Sequence, residues 1–593
     1  MEENRAGLMT CEIDIGKELG GHGSPGQLKE PGTGITTYSC ALSCSLRPQG
    51  RVRDELQLEK RSTDGHGLGL VKLDGVVEYK SLPSGLHNCD EDLVYFVHEQ
   101  YAGISAFANR PADESERNAH FAAVGVLVKP SGRLGRSWLH AQRLRHLVDN
   151  IVDDTNNTDV LQEYWEQNRI AVEDEQDVGD GEPSTDHHPS NQRKQRALSD
   201  AAGLHSRDPT LPHHHPAMSL AQHLDTFGPL IFPLQRAALL KKRILVMCPA
   251  PVHTACNLVY NLSVLSNIPP SVADTLQDRG ALYPLRPLFN IGIHDIDYLS
   301  QLASDAKPQN SWIACTTDDI LETKSKLYDV LVELPSRDAV VTGVKQWPHI
   351  RTSTGEDIKA TQRDLRRYYA LKRELNRVQR ARRALQNERE DEEAIEDDDT
   401  ENENAPLVPS RPDQRSDQDQ YVQLEGEAKL AEPSSWASIA YTSFLWWASA
   451  GEKDALLDDE ACQDARLLDD LPLPAPSRQS LRSGRKRSFG QEDSDGDDER
   501  LQSVAVTLVA YAHRLTTLVI STLADIVQVA EAERRDGDES TITIHSEDLR
   551  RMGLDEWSQS DGEFVKAMAA LYFGRDGVET VGRTVDLCGL KIC

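Results

Sequence analysis

Between Phe227 and Pro335 the chain alternates short continuous apolar runs with longer stretches of helical period. Leu234, Ala237 and Ala238 put apolar residues on one helical face. After the basic stretch Lys241 to Arg243, Ile244 to Cys248 is a continuous apolar run of the kind a strand covered on both faces requires. Pro249 and Pro251 end that strand, and Val252 to Leu265 resumes a helical period through Ala255, Leu258, Val259, Leu262 and Leu265 until Pro269 stops it. Leu288 to Ile293 and Trp312 to Cys315 read as further strands. In the stretch that follows, Thr317 or Asp318 is placed to cap a helix whose first turn carries Asp319 and Glu322. Strands alternating with helices predict an α/β lobe with a largely parallel sheet.

Upstream the period changes. VKLDGVVEYKSLPSGLH predicts a strand from Val71 that breaks at Pro83, and EDLVYFVHEQYAGISAFAN predicts two more with a turn near Gln100. Ala122 to Val128 reads as a fourth strand. Trp138 to Val152 is an amphipathic helix through Leu139, Leu144, Leu147 and Val148, with a further helical segment to Trp165. An antiparallel sheet backed by helices accommodates these elements, so the fold class is α/β and α+β. Downstream, Thr361 to Asn387 is an Arg-rich helix with an apolar stripe at Leu365, Tyr368, Leu371, Leu375, Val378 and Leu385. That stripe either packs on the protein itself or docks on an acidic partner or membrane surface. Leu501 to Ala532 is a long helix apolar on most faces, Thr541 to His545 a short strand, Ser546 and Asp561 are placed as helix caps, and Val585 to Cys593 is a closing strand.

Composition divides what lies between. Val172 to Leu211, Glu388 to Pro433 and Leu456 to Glu499 are polar and charged and cannot bury enough apolar surface to offset backbone ordering. The segments are therefore 1–70, weakly patterned with one diluted strand candidate at Tyr38 to Leu46; 71–165, a sheet module; 166–218, a disordered linker; and 219–348, the central α/β module. Then come 349–387, the basic helix; 388–433, an acidic disordered linker; 434–450, Trp-rich; 451–500, a second disordered linker; and 501–593, a helical C-terminal lobe with a terminal strand.

Charge and chemistry narrow the function by exclusion. Of 593 residues, 65 are Lys or Arg and 96 Asp or Glu, a net charge of −31, which argues against a nucleic-acid surface. No apolar run follows the first charges, so no signal peptide is expected. The most apolar helix, Val504 to Ala530, is interrupted by His513, Arg514 and Asp525, so no membrane span is expected either. Cys40 and Cys44 lack a second pair, and His187, His188 and the triplet His213 to His215 lie in polar sequence without rigid support, so no metal or cofactor is expected. The P-loop, GxGxxG, GxSxG and HExxH motifs are absent, and His253, His294 and Asp295 lie near strand ends without a nucleophile motif, so no catalytic residue is named. The stretch WASIAYTSFLWWASAGEK concentrates bulky apolar residues. Small residues at Ala437, Ala440 and Ala448 suit core packing, while Trp436, Phe444, Trp446 and Trp447 are the candidates for partner or membrane contact.

Several strings then stop being anonymous. EYKSLPSGLH from Glu78, DLVYF from Asp92, GISAFAN from Gly103, RNAHFAAVGVLV from Arg117 and RLGRSW from Arg133 resemble the N-terminal part of the LCHN-like, DUF4484-type branch of DENN proteins. FGPLIFPLQRAALLKKRILV and SWIACTTDDILETKSKLYDVLVELP resemble its core module, and the Trp-rich segment, the long apolar helix and the terminal VDLCGLKIC recur in its longer members. The family usually opens with a clean apolar strand and a basic turn, which residues 1–70 lack. The resemblance implies a longin-like N-terminal sheet, a central α/β DENN lobe and a helical C-terminal lobe. It implies regulation of a Rab-like small GTPase in membrane trafficking by guanine-nucleotide exchange, with the chemistry residing in the GTPase, in the cytoplasm or peripherally on endomembranes. The alternative is a non-catalytic endomembrane scaffold or GTPase-binding adaptor.

Overall fold

The computed structural model describes residues 7–11, 14–15, 42–46, 77–83, 89–99, 101–111, 119–128, 136–153, 157, 159–168, 211, 214–276, 281–305, 307–336, 345–377, 380, 426–434, 438–439, 452–468, 492–533, 541–581, 585–587 and 590–592. They fall into two units. The first comprises residues 1–219, 241–266 and 284–357; the second comprises 220–240, 267–283 and 358–593.

The first unit is organised on one sheet of eleven strands. In chain order they are β1 (Gly7–Cys11), β2 (Asp14–Ile15), β3 (Leu42–Leu46), β4 (Glu91–His98), β5 (Tyr101–Pro111), β6 (Ala119–Val128), β7 (Ile244–Met247), β8 (Arg286–Asn290), β9 (Trp312–Thr316), β10 (Val330–Glu333) and β11 (His349–Thr352). Their order across the sheet is β11-β10-β7-β9-β8-β4-β5-β6-β3-β2, with β1 also pairing on β6. The expectation of a largely parallel sheet is corrected. Only β10-β7-β9-β8 and the short β2–β3 pair are parallel. The other pairings are antiparallel. Connection length explains the split: β4 and β5 are joined by a tight turn, which only an antiparallel pair can use, whereas β7, β8, β9 and β10 are separated by helical connections.

The two halves meet at a single pair, Phe96 on β4 with Phe289 on β8. Phe289 is buried and adopts φ 58°, and β8 breaks register against β9 just before it. The Phe96 ring lies where a side chain on Gly103 of β5 would sit, so glycine is required there. Both faces of the sheet are covered, so Leu93 to Phe96 and Tyr101 to Ala108 are buried without alternation. Helix Ala141–Asp153 supplies Leu144, Leu147, Val148, Ile151 and Val152, and Asp159–Asn168 supplies Leu161 and Tyr164. Leu245, Leu288, Leu299, Trp312, Ala314 and Leu331 form a core of the parallel half. The strand expected from Val71 is instead, within its described part, a helix, Val77–Lys80, continued by Ser81 N donating to Val77 O at 2.9 Å. A stretch that short contains too few apolar positions to separate the two periods.

The second unit is helical. Its elements include Leu220–Phe227, Ile231–Leu239, residues 362–377, Glu452–Leu468, Glu492–Glu533, Ser546–Arg551 and Gln559–Phe573. β12 (Ile542–His545) pairs in parallel with β13 (Val578–Val581). The single closing strand is corrected to a hairpin, β14 (Val585–Leu587) with β15 (Leu590–Ile592). Leu239, Val519, Ile520, Leu523, Phe564 and Met568 share a core, and Tyr572 Oη donates to Leu239 O at 2.8 Å. The segment Leu501–Glu533 is long and apolar enough to cross a membrane, but 67% of its most apolar window is buried inside the fold.

Two expected caps differ. Ser546 is the first helical residue, with His545 before it and Asp548 accepting His545 N. Ser558, not Asp561, caps Gln559–Phe573, accepting Asp561 N, while Asp561 is drawn inward to Arg236. The stretch 451–500, read as a linker, carries helix Glu452–Leu468 and the start of Glu492–Glu533. Segment 1–70 carries β1 to β3. The stretches 169–210 and 388–425, Val378 and Leu385, and the histidines His187, His188 and His213 lie outside the described residues.

Candidate partner-binding surface

In the parallel half, β7 and β9 are neighbours whose chains depart in opposite directions. β7 leads to β8 on the far side of β9, and β9 leads to β10 on the far side of β7. The carboxyl ends of strands at such a divergence are where open α/β sheets offer a crevice. Here the crevice is filled from within. Cys248, Cys256 and Cys315 are buried there, with the Cys256 and Cys315 sulfurs 3.6 Å apart, and burial pushes the Cys315 thiol well above its ordinary value. A thiol held protonated is neither nucleophile nor metal ligand. Asp92 of β4 closes the site from the other side: its carboxylate accepts Val252 N at 2.7 Å and His253 N at 3.1 Å, placing a negative charge at the start of helix His253–Leu265. His253 stacks along Tyr95 and meets Asn257.

The outer rim is ordered differently. Lys80 Nζ lies 2.6 Å from Asp295 Oδ1 and donates to Val97 O at 3.0 Å. Asp295 also accepts Gly292 N at 3.1 Å, and Asp318 accepts Ile293 N at 3.2 Å. A side chain on Gly292 would come within 3.1 Å of that Asp318 oxygen, which favours glycine at this close approach. The loops after β8 and β9 and helix Val77–Lys80 are thereby tied together by buried or half-buried charge. What they present outward is apolar: Tyr79 is 42% exposed, Ile293 45%, Tyr298 38% and Ile320 53%. His294 stacks on Tyr79 with ring centres 4.5 Å apart, and the Arg286 guanidinium lies 5.9 Å from the Tyr298 ring. Asp297 and Asp319 stand exposed beside them. Large apolar side chains held out by a rigid polar frame, with tyrosines among them, are the composition of a contact surface rather than a reaction site.

The sequence-named residues fare unevenly. Trp436, Phe444, Trp446 and Trp447 lie outside the described residues. His253, His294 and Asp295 do not form a constellation, since each engages a different neighbour, Tyr95, Tyr79 and Lys80 respectively. His215, the last of the histidine triplet, is buried, accepts Ala217 N and reaches Tyr260 Oη at 3.4 Å, and burial lowers its pKa to about 4. Among the described residues no group of His, Cys, Asp or Glu is arranged to hold a metal ion. A cavity in the second unit, lined by Phe232, Gln235, Arg236, Arg367, Thr516 and Phe564, measures about 30 Å³, room for water and not for a nucleotide. Tyr79, Ile293, Tyr298 and Ile320 were missed from the sequence. Each sits in or beside a stretch with buried neighbours, Val77, Ile291, Leu299 and Leu321, and periodicity does not tell which member of such a pair faces out.

Comparison with known proteins bears on the same region. A family described as "DENN domain-containing protein 11" matches residues 67–342, which include every residue of this surface. "Domain of unknown function (DUF4484)" matches residues 431–541 and 529–593. DENN domain-containing protein 11 of Xenopus laevis is 34% identical over 266 residues, covering 44% of this chain and 54% of that protein. The Rattus norvegicus protein of the same description is 31% identical over 265 residues, covering 44% and 52%. The chain thus spans about half the length of these relatives. "Uncharacterized protein ANR2" of Saccharomyces cerevisiae is 23% identical over 556 residues, 87% of each chain. With a DENN-type match over the sheet unit's principal strands and a DUF4484 match over the C-terminal helices, the chain carries a DENN domain of the LCHN-like type together with a DUF4484 region.

Proposed function

We propose that the chain regulates a Rab-like small GTPase in membrane trafficking by accelerating release of its bound GDP, with the rim around Tyr79, Ile293, Tyr298 and Ile320 forming part of the docking face. The observation that carries this reading is the coincidence of the DENN-type match with an exposed apolar rim held on rigid loops. An exchange factor needs a shaped surface that prefers the nucleotide-free partner, because the GTPase supplies the chemistry. The rim offers the rigid aromatic and aliphatic anchors that concentrate binding energy. In the same reading the chain is cytoplasmic and peripheral on endomembranes, with Trp436, Phe444, Trp446 and Trp447 as its membrane contact, since indole rings sit readily at a bilayer interface.

The test is release of labelled GDP from a panel of purified Rab proteins. One member is expected to respond, and the double variant Tyr79→Ala, Ile320→Ala to lose roughly tenfold of that acceleration with an unchanged melting temperature, as for loss of one or two exposed anchors. Stable binding without acceleration would replace exchange by the scaffold or adaptor reading. Absence of binding to every member would remove both. Loss of liposome flotation in Trp446→Ala, Trp447→Ala is expected alongside; retained flotation would remove the membrane role of the tryptophans.

A further inference from the structure

The described side chains of helix Glu452–Leu468 hold it to the second unit chiefly through polar and charged contacts. Among its described side chains, residues 458–468, the one buried residue is a carboxylate, Asp464. By contrast, Gln559–Phe573 buries Phe564, Val565, Met568 and Tyr572, and helix 362–377 buries Tyr368, Leu371 and Leu375. Helix 452–468 lies instead against a row of arginines on helix 362–377. Arg367 Nη2 is 2.9 Å and Arg363 Nη2 3.7 Å from Asp464 Oδ1, Arg366 Nη2 is 2.7 Å from Glu460 Oε2, and Arg363 also donates to Gln463 Oε1. Gln463 donates to Arg551 O at 3.1 Å, and Arg514 donates to Leu467 O at 2.9 Å.

Arg363 and Arg367 are also held by bonds that do not involve the helix. Arg367 donates to Gly553 O at 2.7 Å, and Arg363 to Leu554 O at 3.0 Å and Arg550 O at 3.3 Å. The groove is therefore preorganised for carboxylates, and Glu460 and Asp464, four residues apart on one helix face, are the pair it now receives. Detaching such a helix returns both its carboxylates and the facing guanidiniums to water, so the desolvation penalty of the buried pairs is recovered, which does not happen when apolar surface is exposed. The outer pair, Arg366 with Glu460, also weakens as salt screens it.

We infer that helix 452–468 is a detachable occupant of an arginine-lined groove, and that the groove receives, in its place, an acidic helical segment of a partner protein with two carboxylates one turn apart. The inference is independent of which GTPase, if any, the chain serves.

Hydrogen exchange on the full chain at 50 mM and 1 M NaCl tests the first half. Protection of 452–468 is expected to fall on the order of tenfold while that of 559–573 holds, because the Debye length shrinks from over 10 Å to about 3 Å across that range. Glu460→Gln, a change at the half-exposed end of the contact, should lower protection of 452–468 already at 50 mM. The second half is tested with a labelled peptide of sequence 452–468 added in trans. It should bind the chain carrying Asp464→Asn more tightly than the parent chain, and a peptide with both Glu460 and Asp464 amidated should not compete. Protection of 452–468 that is unmoved by 1 M salt would overturn the detachable helix, and equal binding of acidic and amidated peptides would overturn the acidic-segment reading.

Discussion

The two units solve the burial of polar groups in opposite ways. In the first, backbone groups are consumed by an eleven-stranded sheet, and buried side-chain polarity is mostly neutral: His140 and His215 sit in the fold as uncharged rings, His140 Nδ1 2.5 Å from Tyr164 Oη. The second buries charge. Arg236 donates to Asp364 at 2.6 and 3.0 Å and lies 3.4 Å from Asp561, and Arg363, Arg367, Asp464 and Asp555 are buried around them. One arginine cannot serve two carboxylates equally. Burial opposes ionisation of Asp364, but Arg236 outweighs it and draws that pKa below the ordinary value. Burial wins at Asp561, raising its pKa to about 7. Backbone groups are satisfied by the ladder in the sheet and by internal bonds in the helices, so the difference lies in the side chains, and the charges buried between the helices have to be matched pair by pair.

The largest expected effect breaks the first unit. Val246 of β7 is fully buried with parallel neighbours on both sides, so Val246→Asp places an unpaired carboxylate in the sheet and should remove roughly 4 kcal/mol or more of stability. Urea denaturation measures this, and an unchanged midpoint would show that the strand is not core.

In the second unit, Asp364→Ala removes the carboxylate that pairs most closely with the buried Arg236, and about 3–5 kcal/mol should be lost, as when a buried ion pair loses one partner. Arg236→Met with Asp364→Leu should recover much of it, because the pair is then replaced and not orphaned. If the double variant is as unstable as Asp364→Ala, the charges matter for more than their own pairing.

The units should also respond to pH with opposite sign. For His140 and His215 burial lowers the pKa from 6.5 to about 4, so between those values the unfolded chain binds more protons; their contribution is complete above pH 6.5 and is lost as pH falls toward 4. That is roughly 3 kcal/mol for each histidine. Asp561 behaves inversely. Its folded pKa of about 7 exceeds the model-peptide 3.8, so its contribution is present at low pH and is lost as pH rises through 7. Hydrogen exchange at pH 5 and pH 8 should show the histidine-bearing unit losing protection at the lower pH. The smallest effect is at Asp561→Asn, which should flatten the alkaline-side decline of the helical unit; an unchanged decline would mean that Asp561 is ionised in the fold.

Much of the architecture was legible. β4, β5, β7 and β9 and helices Ala141–Asp153 and His253–Leu265 stand where apolar runs and periods put them, because a strand covered on both faces and a helix with one wet face write different patterns. Helix Glu452–Leu468 was not legible. Its acidic, weakly amphipathic sequence reads as solvated until the arginines of helix 362–377, about a hundred residues earlier, are placed against it. The rim was equally hidden, since the loop carrying Ile293 is fixed by backbone bonds to Asp295 and Asp318, which hydropathy does not reveal.

By itself the sequence determined most of the sheet and core-helix elements, the resemblance to DENN proteins and the absence of familiar catalytic motifs, all of which rest on composition and local order. The tertiary structure decided which strands pair, and it made the sheet mixed by joining β4 to β8 through one phenylalanine pair across nearly two hundred residues. It also decided which carboxylates stay charged. Asp364 and Asp561 are the same residue type, both buried beside Arg236: the closer Arg236 contact, with Arg367 and the Thr361 N–H, keeps Asp364 charged, while burial and the nearby Asp364 and Asp555 carboxylates push Asp561 up. Pairing and ionisation depend on what lies across space, where desolvation and Coulomb energy are set, and neighbours in the chain carry little of that information.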